Sequence, residues 1–185
     1  MLDRAAAWDL LCEYTQSDNL RKHGLAVEAV MRHFARKHGE DQEAWGIVGL
    51  IHDFEYERYP DEHPQKGAEI LREQGLPEES VQAVLAHGDH LGVPRETLMA
   101  KTLFAVDELA GFVTAVALVR PTKSLLDVEP ASVRKKMKDK AFARSVNRDD
   151  ITKGVAELGV DLNEHIAEVI AAMQAVAPDL GLAGT

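Results

Sequence analysis

Histidine and aspartate side chains interrupt the apolar faces of several predicted helices. His23 lies four positions before Val27 on one apolar stripe, and the adjacent His52 and Asp53 follow another. Asp107 lies within the stripe of a long predicted helix. A buried unpaired carboxylate costs several kcal/mol or becomes protonated, and buried imidazoles need partners too. One metal cation would satisfy all of these groups, so the pattern predicts a metal site.

Two more histidines fall between this His-Asp pair and Asp107. His87 lies at the end of a predicted helix, three residues after Val84 and on its apolar side, and His63 ends the non-periodic loop 53–63 that follows the pair. A lone inward histidine is more often a hydrogen-bonded core residue than a ligand, and Asp107 alone would equally suit a helix cap or an arginine partner. The joint placement of these residues is what favours a metal.

The other histidines and several acids are predicted to face solvent. His33 and His38 lie among basic residues on a polar face. Surface positions are predicted for His33, His38, His165, Glu28, Glu55 and Glu57, with Glu55 and Glu57 near the mouth of the site. His90, three residues after His87 and beyond a glycine, is kept as a spare ligand candidate.

The composition limits the chemistry and the partners. The 185 residues include a single cysteine, which excludes an internal disulfide and a thiolate metal cage and leaves histidine and carboxylate as ligands. A net charge of -10 disfavours general nucleic-acid binding. We find no uninterrupted apolar stretch of membrane-spanning length and no secretory signal, so we expect a cytoplasmic protein without a membrane segment.

The hydrophobic periodicity predicts an all-α fold. Apolar residues recur at helical spacing almost throughout, and Gly, Pro, Asp or Asn separate the periodic segments. We predict one domain over residues 1–185, a bundle of about eight or nine helices with a core at 20–120 and a helical extension at 121–178. The predicted helices are 4–16, 19–38, 42–52, 64–74, 78–88, 96–119, 131–142, 148–158 and 162–175. Residues 177–185 are expected to be frayed.

The order of these residues resembles the HD-domain superfamily of metal-dependent phosphohydrolases, in particular the subset with six ligands. The resemblance covers roughly residues 20–120. It implies one or two divalent ions, Zn, Fe, Mn or Mg, bridged by the aspartate of the pair. By this likeness the first ion is held by His23, His52, Asp53 and Asp107, and the second by Asp53, His63 and His87.

The same resemblance implies an enzyme that hydrolyses a small phosphomonoester or phosphodiester, nucleotide-like or otherwise, with metal-activated water. Asp53 would be catalytic as the bridging ligand. The chain reads "HDFEYE" where many signalling phosphodiesterases read "HDIGK", so we expect Lys66, one turn after His63, to replace the missing lysine. In the loop after the Asp107 helix, Arg120, Lys123 and Ser124 are predicted to bind the phosphate of the substrate.

Two other functions fit the same ligands. The subset with six ligands also resembles di-iron oxygenases of the myo-inositol oxygenase type, in which O₂ uses the open metal positions. The third hypothesis is a non-catalytic metal-binding or sensory module. The chain lacks a Gly-Tyr-Pro signature, so a cyclic-dinucleotide substrate is not supported, and homodimerisation is left open.

Overall fold

The computed structural model describes residues 2–184, which fold into ten α-helices and two short 3-10 turns and form no β-strand. The all-α prediction is confirmed. The helices are α1 (Arg4–Tyr14), α2 (Asp18–His38), α3 (Gln42–Ile51), α4 (Gln65–Glu73), α5 (Glu78–His87), α6 (Leu98–Leu118), α7 (Pro130–Met137), α8 (Arg148–Leu158), α9 (Leu162–Gln174) and α10 (Ala177–Leu180).

Most helices begin and end where the sequence predicts, because their ends carry the expected capping residues. The hydroxyl of Ser17 accepts a hydrogen bond from the backbone of α2, and the hydroxyl of Thr97 does the same for α6. Asp41 caps α3 with its carboxylate. Gly39 ends α2 in the left-handed conformation, with φ of 75°.

The backbones of α2 and α3 lie in direct contact, which sets the spacing of the histidines that they carry. A Cβ atom on Gly24 would lie 2.7 Å from the carbonyl oxygen of Leu50, and one on Gly49 would lie 2.8 Å from that of Val27. Both distances are too short for any side chain, so the two helices approach this closely only with glycine at these positions. The result brings His23 beside the end of α3.

The predicted helix 131–142 is too long, because α7 ends at Met137. The guanidinium of Arg148 donates hydrogen bonds to five backbone carbonyls between Met137 and Val146, which holds this segment in turns. Hydrophobic periodicity within residues 131–142 cannot predict this contact, because Arg148 lies outside that segment.

The carboxy-terminal residues 177–184 pack against the bundle, so the prediction that they are frayed is wrong for this range, and Thr185 lies outside the described residues. Leu180 and Leu182 are buried. The backbone N–H of Leu125 donates to the carbonyl of Leu182 at 2.8 Å, and Ser124 forms an isolated antiparallel bridge with Ala183. This tail therefore packs on the segment that follows α6.

None of the helices among the described residues is both long and apolar enough to span a membrane.

Candidate metal centre

All six predicted ligand residues converge at one cleft. The cleft has a volume of about 610 Å³ and lies where α2, α3, α5 and α6 meet. Five of the six line it, and the fully buried His52 lies behind them. The residues come from α2 (His23), the end of α3 (His52), the loop that follows (Asp53 and His63), the last position of α5 (His87) and the middle of α6 (Asp107).

The first group of donor atoms comprises His23, His52, Asp53 and Asp107, whose ligand atoms all lie within 4.8 Å of one another. The Nε2 of His23 is 2.9 Å from Oδ1 of Asp107. The Nε2 of His52 is 3.3 Å from Oδ1 of Asp107 and 3.3 Å from Oδ2 of Asp53. Two imidazoles and two carboxylates thus face one point.

The second group comprises Asp53, His63 and His87. The Oδ1 of Asp53 is 3.3 Å from Nε2 of His63 and 3.1 Å from Nε2 of His87. Asp53 therefore turns Oδ2 toward the first group and Oδ1 toward the second. The two groups share this one carboxylate.

Backbone and side-chain acceptors orient three of the imidazole rings. The Nδ1–H of His52 donates to the carbonyl of Gly49 at 2.7 Å, and that of His87 donates to the carbonyl of Val84. The Nδ1–H of His63 donates to Oε1 of Glu55 at 2.8 Å. These partners assign the tautomer, so each ring presents its Nε2 to the cleft.

The donor set fits a metal cation. With both Nδ1 atoms acting as donors, the Nε2 lone pairs of His63 and His87 face each other at 3.2 Å, which is repulsive unless a cation lies between or beside them. Neutral imidazoles with carboxylates suit Zn²⁺, Fe and Mn²⁺.

The shifted pKa values of the site residues also indicate that positive charge is favoured here. Burial lowers the pKa of His52, but the carboxylates of Asp53 and Asp107 outweigh it and raise this pKa well above its ordinary value. Burial also lowers the pKa of His87, but the hydrogen bond to Asp53 and the charge of this carboxylate raise it above the ordinary value. Burial raises the pKa of Asp53, but His52 and His87 hold it well below its usual range. A bound cation would balance the same carboxylates that cause these shifts.

Glu55 is a site residue that the sequence analysis missed. It was predicted to be at the surface but is fully buried, and its Oε1 accepts from His63 while its Oε2 has no protein partner. A Cβ on Gly67 of α4 would lie 2.6 Å from its carboxyl carbon, so the carboxylate is tightly enclosed. Glu55 lies in a non-periodic loop, where spacing gives no signal of burial.

The surface prediction is also wrong for Glu28, because this carboxylate is buried between Arg4 and Arg32. Its oxygens accept from the guanidinium groups at 3.0 to 3.1 Å. Glu57 is exposed, as predicted, and caps the backbone N–H groups of Gln16 and Ser17.

The other histidines lie outside the two donor groups. His38 is exposed, as predicted, whereas His33 is partly buried and pairs with Glu168 at 2.6 Å. His165 is buried, contrary to prediction, and its Nε2–H donates to the carbonyl of Ala105 at 2.9 Å. Burial lowers the pKa of His165. His90 lines the cleft but is exposed and belongs to neither donor group.

The predicted place of Lys66 beside the metal site is wrong. Its ammonium group donates to Glu69 at 2.9 Å on the exposed side of α4, and it does not line the cleft. An exposed partner one turn away on the same helix holds this long side chain toward solvent.

Arg120, Lys123 and Ser124 are also not at the cleft, contrary to prediction. Helix α6 continues for eleven residues beyond Asp107, which at about 1.5 Å per residue carries the chain roughly 16 Å away. Arg120 donates to Ser132 at 2.7 Å, and the buried Ser124 caps the N–H of Leu126.

The outer wall of the cleft is acidic. Asp89, Glu108 and Asp150 line it, together with the segment 145–147, and none of the described lining residues is a lysine or an arginine. Burial, followed by the neighbouring charge of Asp107, raises the pKa of Glu108 to about 7. The described lining residues therefore offer no lysine or arginine charge to an anion in this cleft, and bound ions would supply it.

Comparison with known proteins gives one match. The sequence profile of the HD domain matches residues 20–111, about half of the chain, and this range contains all six residues of the two donor groups. No curated protein and no solved structure matches the chain.

Proposed function

Because the chain belongs to the HD-domain superfamily, we propose that it is a metal-dependent phosphohydrolase that cleaves a phosphate ester of a small metabolite. The observation that carries this proposal is the shared carboxylate: Asp53 turns one oxygen toward each of two imidazole-rich donor groups. Such an arrangement suits two ions held close together, which can stabilise both the attacking and the leaving oxygen of an in-line displacement at phosphorus.

Each donor group has a separate role in the proposal. His23, His52, Asp53 and Asp107 would hold one ion, and Asp53, His63 and His87 would hold the second. When bound, the divalent ions supply Lewis acidity, which polarises a phosphoryl oxygen and lowers the pKa of water.

The protein's own groups orient the site and admit the substrate. The hydrogen bonds to Gly49, Val84 and Glu55 fix three rings with Nε2 toward the cleft, so no ring has to reorient during turnover. The cleft is open to solvent, so a phosphate group and water have access to the site. Hydrolysis adds water across the ester bond and releases an alcohol and phosphate.

One observation supports a di-iron oxygenase as the second candidate. Phosphate sites in proteins commonly use arginine or lysine, and the described lining of this cleft has neither. Four imidazoles with two carboxylates are also a ligand set that iron accepts.

An anaerobic assay separates these functions. The protein loaded with Mn²⁺ or Zn²⁺ is incubated with a panel of phosphomonoesters and phosphodiesters, and product release is measured with and without chelator. We expect hydrolysis without oxygen, its loss on chelation and in Asp53→Ala, and its retention in His38→Gln, which changes an exposed histidine outside the site.

Two other results would contradict the phosphohydrolase. Product formation by the iron-loaded protein that requires O₂ would favour the oxygenase. If no ester or oxidisable metabolite turns over while chelation lowers the melting temperature, the site serves a non-catalytic module.

A further inference from the structure

An apolar groove continues from the metal cleft. It has a volume of about 570 Å³ and runs between the start of α2 and the second half of α6. The segment 143–146 and the carboxy-terminal tail form its remaining walls. The cleft and the groove share five lining residues, Leu20, His23, Gly111, Ser145 and Val146, so they form one continuous depression.

The groove is lined mainly by aliphatic side chains. Leu20, Ala115, Leu118, Val146 and Leu182 are among its walls. Leu118 is 50% exposed, which leaves a large apolar side chain facing water inside a concave surface. Covering such a surface with an apolar ligand is favourable because it removes hydrocarbon from water.

Full charges are scarce along the groove. Lys22 is the one lysine or arginine among its described lining residues, and its ammonium group is already paired with Asp18 at 2.7 Å. The groove therefore offers little to a charged or strongly polar group.

The acidic wall of the neighbouring cleft limits the charge of the substrate. Asp89 is neutralised by Arg95 and Lys153, but Glu108 and Asp150 have no lysine or arginine within salt-bridge distance among the described residues. Bound ions can balance one phosphate, whereas a second or third phosphate would lie beside these two carboxyl groups and be repelled when they are ionised.

We propose, building on the phosphohydrolase function, that the substrate is a monophosphate ester of an apolar alcohol. The phosphate lies at Asp53, and the hydrocarbon or aromatic part lies in the groove between Leu20 and Leu118. In the reaction the oxygen of water forms a bond to phosphorus, the bond between phosphorus and the alcohol oxygen breaks, and a proton from the water ends on that oxygen. The products are the free alcohol and inorganic phosphate.

The proposal predicts a chain-length dependence of binding. Each methylene buried in the groove should tighten binding about fourfold, because the transfer free energy of a CH₂ group is about 0.8 kcal/mol. We would measure the Kd of n-alkylphosphonates with two to eight carbons, which have no ester bond to hydrolyse, for the Mn²⁺-loaded full-length protein under argon by calorimetry. Inorganic phosphate serves as the probe of the metal cleft alone.

Two groove variants have matched controls. Leu118→Glu places a charge at a half-exposed groove position, and Leu126→Glu places the same charge at a leucine that is 63% exposed outside the groove. Ala115→Trp fills the groove, and Ala171→Trp adds the same bulk at an exposed position of α9. We expect both groove variants to lose the chain-length dependence while phosphate binds as before, and both controls to keep it.

The outcomes separate this inference from the proposed function. A wild-type series in which Kd does not change with chain length, or equal effects of Leu118→Glu and Leu126→Glu, would overturn the groove assignment even if phosphate esters are hydrolysed. Chain-length-dependent binding without ester hydrolysis would instead contradict the proposed function alone. If sedimentation shows that Leu118→Glu disrupts a dimer and leaves the phosphonate series unchanged, the groove is an interface between copies and the assignment is wrong.

Discussion

The hydrogen-bond partners of the imidazoles determine which nitrogen each ring offers to the cleft. His52 and His87 use backbone carbonyls three residues earlier in the chain, which the end of a helix supplies locally. His63 stands in a loop and uses the buried carboxylate of Glu55. A carboxylate behind a metal-binding histidine fixes its orientation and increases its basicity.

Glu55→Gln should therefore weaken the second metal group selectively. The amide is isosteric, so it fits against Gly67, but it carries no charge to support His63. We expect about 10- to 100-fold lower affinity for one of two ions and little change for the other. Metal titration with a competing chelator measures both constants.

Glu57→Gln is the matched control, because Glu57 is an exposed acid two residues further along the same loop. Equal losses in the two variants, or loss of both ions in Glu55→Gln, would show that Glu55 does not act through His63.

Metal affinity should fall as the pH is lowered, and the fall should begin at a higher pH than ordinary histidine ligands would give. The raised pKa values of His52 and His87 mean that these rings keep their protons to higher pH than ordinary histidines, so an ion must displace protons to bind. Calorimetric metal titrations in two buffers of different ionisation enthalpy count the released protons. We expect net release at pH 7, and binding without release would contradict the assignment of these rings as ligands.

Helical spacing predicted His23, His52, Asp53, His87 and Asp107, and the family resemblance added His63, whereas neither predicted Glu55 or the wall of the cleft. His23 and Asp107 break the periodicity of helices whose apolar stripes are readable, so their inward direction follows from spacing. Glu55 lies in a loop without periodicity. The prediction for Arg120 was wrong because Arg120 follows the end of α6, whereas Asp107 lies eleven residues before that end.

At the level of helices, local signals predicted α2 to α6, α8 and α9 closely, whereas contacts between separate segments decided the end of α7 and the packing of the tail. The end of α7 depends on Arg148, and the order of the tail depends on the backbone contact between Leu125 and Leu182. Neither contact can be predicted from the spacing of hydrophobic residues.

Leu182→Ala should destabilise the protein by about 2 to 5 kcal/mol, as other truncations of buried leucines do. Leu182 is 3% exposed and lies in the tail that was expected to be frayed. Leu126→Ala, at a leucine that is 63% exposed, should change the free energy of unfolding by less than about 0.5 kcal/mol. Urea denaturation measures both. A Leu182→Ala variant as stable as the Leu126→Ala control would show that the tail does not pack in solution.

For the whole molecule, the residues beyond the HD-domain match support the helix that carries Asp107. A Cβ on Gly154 of α8 would lie 2.6 Å from the Cα of Ala105, and His165 of α9 donates to the Ala105 carbonyl. Asp107 lies two residues further along α6. Helices α8 and α9 and the cleft are thus linked through α6.

Metal binding should therefore stabilise the whole molecule. At a free-ion concentration of about 1,000 times Kd, binding to the folded state adds roughly 4 kcal/mol to the free energy of unfolding, which corresponds to about 8 to 16 °C in Tm for a chain of this size. Scanning calorimetry with and without Mn²⁺ measures the shift. Asp53→Ala should show almost none, and an equal shift in this variant would place the stabilising ion elsewhere.

The most direct test of the metal centre is anomalous diffraction from crystals grown with Zn²⁺ or Mn²⁺, recorded at the absorption edge of the metal. We predict two peaks at the cleft, one contacted by His23, His52, Asp53 and Asp107 and the other by Asp53, His63 and His87, at about 2.0–2.2 Å from the ligand atoms. A map without a peak between these side chains, in crystals that contain the metal, would contradict the metal centre and the phosphohydrolase proposed from it.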